Sequence, residues 1–257
     1  MEIQSFEIHF ETSENTPPPY SYAYILKGEI KEKLHLHYQI QYTHREDLAV
    51  EEIVEEGFSL NDDLDLEGVI SKDWAKQVNV LLSKTKPSKY IESAHLNFFE
   101  IILKDKEGKT EKIFPHNQEE WEYLCEELSQ ALLEERQVEQ PLQIQFKKIA
   151  PLESIDYYLI TEFSKRQVIF RYKPKKGKSR EINIAWEEGK KFLELIFKPD
   201  YLTEEAQVHE PTKNGFYIHL GDALWYESGK TVLNRSNKND LLGKIEKKLI
   251  ELSTHAQ

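Results

Sequence analysis

Between residues 34 and 42 the side chains alternate: Leu34, Leu36, Tyr38, Ile40 and Tyr42 interleave with His35, His37, Gln39 and Gln41. A period of two marks a strand with one face buried and the other wet. Runs rich in β-branched and aromatic residues predict further strands at 3–10, 20–26, 95–103 and 109–114, with Pro17, Pro18 and Pro19 as a stiff connector between the first two. A second series is expected at 142–146, 157–163, 168–172, 216–220 and around Trp225, with a short strand at 181–184.

Elsewhere the period lengthens to that of a helix. Trp121, Leu124, Cys125, Leu128 and Leu132 form one apolar stripe behind Asn117, an N-cap residue with Glu120 three positions on. Asn237 stands in the same relation to a stripe of Leu241, Leu242, Ile245, Leu249 and Leu252. Shorter helices are expected at 74–87 and 186–199, each opening on a tryptophan and closing on a proline. Ala49, Val50, Ile53 and Val54 fit a short helix within 47–56, although its repeat partner reads as a strand.

These elements recur in order. Residues 22–26 and 36–38 match 156–160 and 170–172 at an offset of 134, Trp74 matches Trp186 at 112, and Gly108–Lys109–Thr110 matches Gly229–Lys230–Thr231 at 121. Self-similarity of this kind, with changes of offset at loops, divides the chain into halves at 1–138 and 139–257. Hairpins followed by a helix, twice per half, predict an α+β fold: an internal duplication of antiparallel sheets with helices on one face.

Charge separates the halves. Residues 1–138 carry 14 Lys and Arg against 29 Asp and Glu, whereas residues 139–257 carry 20 against 17. The net charge of −12 excludes general nucleic-acid binding, because phosphate contacts need positive potential. No apolar run approaches the ~20 residues of a membrane span; Ile101 to Leu103 is followed at once by Lys104, Asp105 and Lys106. One cysteine and an N-terminus without a basic, apolar leader lead us to expect a cytoplasmic protein.

Candidate chemistry is sparse. Gly229–Lys230–Thr231 resembles the end of a phosphate loop, but the earlier glycine is missing and a strand-like Val232–Leu233 follows where a helix is required; a turn is the better reading. Asp63, Asp65, Glu67 and Gly68 follow the start of a calcium loop, yet its twelfth position is Trp74, which leaves an acidic loop with Ser71 capping the next helix. His35 and His37 share a strand face at a spacing that can hold a metal given further ligands, and otherwise are ordinary exposed histidines. Cys125 lies on an apolar stripe, as a buried and inert thiol would.

One dense basic cluster remains: Lys173, Lys175, Lys176, Lys178 and Arg180 around Pro174 and Gly177, with Lys165, Arg166 and Arg171 on the preceding hairpin. It reads as a solvated hairpin tip, or as a surface for docking to an acidic partner, another copy of this chain, or a phosphate-bearing ligand. The leading functional expectation is a non-catalytic interaction or scaffold protein with a protein partner or self-association and no cofactor. The alternatives are a small-molecule binder with a groove between the halves walled by Tyr24, Tyr38, Tyr158 and Tyr172, which equally fit a core, and an enzyme of unrecognised type.

Overall fold

The computed structural model describes residues 3–91, 93–235 and 239–255. The chain divides into two units, Met1–Glu139 with Phe163–Lys165, and Gln140–Glu162 with Arg166–Gln257.

In the first unit the alternating pattern becomes β1 (Ile3–Glu11), β2 (Tyr22–Ile30) and β3 (Leu34–Tyr42), joined as an antiparallel meander. The helix α1 (Val50–Glu55) precedes β4 (Leu64–Ile70), then come α2 (Lys72–Lys84), the short β5 (Pro87–Ser88), the hairpin of β6 (Phe98–Asp105) and β7 (Thr110–Pro115), and α3 (Gln118–Glu135). The seven strands pair in the order β4-β3-β2-β1-β6-β7-β5. Phe6, Ile8, Phe10, Leu26, Leu36, Tyr38, Ile101 and Leu103 are buried on one face, and Trp74 and Val78 of α2 and Trp121, Leu124, Cys125 and Leu128 of α3 are buried with them. Gly68 admits the close approach of α3, since a Cβ there would overlap the Leu132 side chain. Trp121, fully buried, donates from its indole N–H to Thr85 Oγ1 at 2.8 Å, and Thr85 Oγ1 in turn donates to the Leu81 carbonyl at 2.9 Å. One hydroxyl thus satisfies the indole and closes α2.

The second unit runs β8 (Leu142–Ala150), β9 (Glu153–Glu162), β10 (Gln167–Pro174), β11 (Arg180–Ile184), α4 (Trp186–Ile196), β12 (Asp200–Tyr201), β13 (Gly215–His219), β14 (Trp225–Glu227), β15 (Val232–Leu233) and α5 (Leu241–His255). Six strands pair as β11-β10-β9-β8-β13-β14, with β12 and β15 a separate pair. Ile144, Phe146, Leu159 and Phe170 are buried with Phe192 of α4 and Ile245 and Leu249 of α5. Apart from α1, β5, β12 and β15, strand order and helix placement are the same in both units. The fold is α+β, with two similar antiparallel sheets.

The repeat is real in topology but differs in register from the sequence expectation. Leu34 pairs with Ile70 and Val168 with Ile184, each pair just ahead of a helix, which anchors β3 to β10 at an offset of 134 and β4 to β11 at 114. Leu26 pairs with Tyr38, whereas Tyr157, not Ile160, pairs with Tyr172. Strands β2 and β9 therefore correspond at 131. Trp74 and Trp186 are not equivalent either: Lys72 and Trp186 hold the first positions of α2 and α4, and Ala75 and Val78 match Gly189 and Phe192. Gly108 turns β6 into β7, but the matching turn of the second unit carries Gly221, and Gly229 belongs to the next turn.

The expected acidic loop at 63–70 is a strand, because β4 completes its backbone hydrogen bonds against β3 from Leu64 to Ile70. Residues 50–55 are helical, as preferred. Asn117 occupies the N-cap of α3 without making a side-chain cap bond. The cap assigned to Asn237 lies outside the described residues; Asn234 Oδ1 accepts from the amides of Leu241 and Leu242 at the start of α5. No helix among the described residues is long and apolar enough to cross a membrane.

Candidate functional site

Because both long helices of the first unit pack on one face of its sheet, the opposite face is left without a helix. Period two then dictates its chemistry: every residue that alternates with the core strands points there. Cross-strand register sets these residues in rows. One row reads Glu67, His37, Lys27, Glu7, Ile102, Lys112 across β4, β3, β2, β1, β6 and β7; the next reads Asp65, Gln39, Ile25, His9, Glu100. A third carries Val69, His35, Glu29, Ser5, Lys104 and Thr110.

The rows are tied by polar contacts. His37 Nε2 lies 2.7 Å from Asp65 Oδ1, and its Nδ1 lies 3.8 Å from Glu67 Oε1. Gln39 Nε2 donates to Asp65 Oδ2 at 2.8 Å. These two bonds, that from His37 foremost, hold the Asp65 carboxyl below the usual carboxylate range. His9 Nε2 lies 2.7 Å from Glu7 Oε1, Lys27 Nζ 3.7 Å from Glu7 Oε2, and Lys112 Nζ 2.9 Å from the buried Glu100. Side chains of this face border a hollow of about 1070 Å³, open on its outer side, whose floor includes Glu7, Lys27, Glu29, His35, His37 and Lys104. A second hollow of about 490 Å³ adjoins His9, Ile25, Gln39 and Asp65.

Of the metal candidates, His35, His37, Asp65 and Glu67 share this face, while Asp63 accepts the Tyr42 backbone N–H at 2.8 Å. An extended strand sets Asp65 and Glu67 in adjacent rows instead of wrapping them round one ion, so the calcium-loop reading fails on geometry. No group of three or more His, Cys, Asp or Glu converges as a metal site among the described residues. Sequence reasoning missed Glu7, Lys27, Glu29 and Glu100. Lys27 and Glu29 lay beyond the expected end of their strand, and non-local register is what brings Glu7 and Glu100 beside them.

The four groove tyrosines divide between core and outer positions of their own sheets. Tyr24 and Tyr38 are buried in the first unit with ring centroids 5.6 Å apart, and burial raises both phenols far above their ordinary value. Tyr172 packs 5.7 Å from Tyr157 on the helix side of its own sheet, whereas Tyr158 faces the other way, 6.0 Å from the Arg171 guanidinium. Burial also pushes the Cys125 thiol up to about 12, which makes it a poor nucleophile. Gly229, with φ 77°, sits in a turn ahead of β15, so the phosphate-loop likeness ends at three letters.

The basic residues cap the β10–β11 hairpin. Lys173, Lys175, Lys176, Lys178 and Arg180 are exposed round Gly177, whose φ of 129° suits only glycine. None of these five forms an ion pair among the described residues. By contrast Arg171 holds Glu181 at 2.9 Å, and Arg166 lies 3.5 Å from Glu187 and 5.5 Å from the Trp186 ring.

No family model, curated protein or solved structure matches this chain. Its function rests on the chemistry of its surfaces.

Proposed function

We propose that this is a non-catalytic binding protein that seats a protein partner on the helix-free face of its first sheet. The observation that carries this reading is the open trough itself, floored by rows of paired charges. Six strands spaced ~4.8 Å apart and six to nine residues long make a face of about 24 by 26 Å, roughly 600 Å². That is of the same order as the ~800 Å² each partner contributes to a standard interface. A small molecule needs 70–90% of its surface enclosed, and a trough open on one side supplies one wall. His9 and His37 are each engaged by a carboxylate, and neither hydrogen-bonds a hydroxyl or thiol among the described residues, so the face lacks a nucleophile with its base. A single buried, unpaired cysteine supports a cytoplasmic location.

The test compares the full chain with Lys27→Glu/His37→Glu as baits in cross-linking and mass spectrometry from native cells, and weighs the purified protein by native mass spectrometry. A partner whose cross-links fall on β1 to β4 and vanish in the double variant is the expected result. A stoichiometric small-molecule adduct, or cross-links unaffected by the variant, would replace this reading.

A further inference from the structure

The acidic insertion of the first unit and the basic hairpin of the second are complementary in charge and in apolar content. Glu46, Asp47, Glu51, Glu52, Glu55 and Glu56 are exposed on and beside α1, and none has a cationic partner among the described residues. Val50, Val54 and Leu60, 49%, 57% and 60% exposed, lie among them. On the hairpin side five cations without an ion pair among the described residues surround the turn, and Leu152 is fully exposed in the neighbouring β8–β9 turn. The Lys175 backbone N–H donates to the Ser154 carbonyl at 2.8 Å and so holds these two turns side by side.

We infer that the β10–β11 hairpin of one copy docks on the α1 segment of a second copy. Cations and carboxylates that form no ion pair among the described residues lose least by meeting each other, although Glu52 accepts the Ala49 amide and Glu56 the Tyr20 hydroxyl, and opposite patches on one chain are self-complementary between copies. Leu152 then gains Val50 and Val54 as apolar neighbours. The two patches differ, so the contact is head-to-tail; it closes as a pair when both copies donate a hairpin, or continues into longer chains when they do not. A nucleic acid or other polyanion fits the hairpin alone, but it gives no account of the matched acidic, partly apolar patch, and it would face the repulsion of a chain carrying −12. The inference is independent of the trough, which shares none of these residues.

Sedimentation equilibrium of the full chain tests it. At about 0.1 M salt, where the Debye length is ~10 Å, the weight-average mass is expected to rise above 30.4 kDa with concentration; at about 1 M salt, where it is ~3 Å, the mass returns to 30.4 kDa. Lys175→Glu/Lys176→Glu/Lys178→Glu weakens association by roughly tenfold or more, because like charges then face each other, and so does Glu46→Lys/Glu51→Lys/Glu55→Lys. Each reversed variant is monomeric alone, and an equimolar mixture of the two associates. The milder Lys175→Gln/Lys176→Gln/Lys178→Gln, intermediate in effect, guards against loss of fold. A wild type that stays at 30.4 kDa throughout, or a mixture that stays monomeric, overturns the inference. Retention on heparin lost with the hairpin reversal, while sedimentation is unchanged, would also overturn it, in favour of a polyanion ligand.

Discussion

His37 Nε2 and Asp65 Oδ1 stand 2.7 Å apart across β3 and β4, and this bond is the first cause of the depressed Asp65 carboxyl. A carboxyl lowered by folding stabilises the native state at pH values above its unfolded value of ~3.9, and that contribution disappears as pH falls through the folded value. His37→Ala is expected to return the Asp65 titration toward ~3.9, read from its side-chain carboxyl carbon by NMR, and Gln39→Ala to move it by a smaller step. An Asp65 midpoint indifferent to His37 would mean that the pair does not form in solution.

Thr85 serves two buried needs with one oxygen. Thr85→Val keeps the shape but strands the Trp121 indole N–H, for which a loss of about 1–3 kcal/mol is expected. Urea unfolding followed by tryptophan fluorescence measures it, and Thr85→Ser, which retains the acceptor, should recover most of the difference.

Gly189 reverses the usual rule for helices. Replacing an interior helical glycine by alanine ordinarily gains about 1 kcal/mol. Here a Cβ would stand 2.5 Å from Val168 Cγ2 and 2.8 Å from its Cβ, so Gly189→Ala should instead cost about 1–3 kcal/mol through overpacking. In a double-mutant cycle Val168→Ala is expected to relieve part of that loss.

Cys125 offers a test of inertness. Its thiol is buried, with its ionisation pushed up to about 12, so the folded protein should resist thiol reagents at pH 8 and react at a rate set by unfolding. Fast stoichiometric labelling under native conditions would contradict the burial.

The alternating strands were legible because their two faces differ: Leu34 to Tyr42 needed only period two. Strand β4 was not. Its sequence, LDLEGVI, is rich in residues that strands avoid, and what makes it a strand is pairing with β3 together with the space Gly68 leaves for Leu132. His35 and His37 were assigned to the wet face from the same alternation, but their neighbours Lys27 and Glu29 come from cross-strand register, which no local window contains. The tyrosines meet the same limit, since Tyr24 and Tyr158 were aligned by resemblance of letters across strands whose true offset differs by three.

That difference of three has its own consequence. Three residues, Lys31, Glu32 and Lys33, separate β2 from β3, whereas the corresponding path from Thr161 to Val168 is longer by three. An odd insertion within a strand would have exchanged its two faces; placed in the turn it leaves them as they were, and Val168 and Phe170 stay buried as Leu34 and Leu36 do. A turn of this kind lets a copied sheet change the length of its chain without surrendering its core.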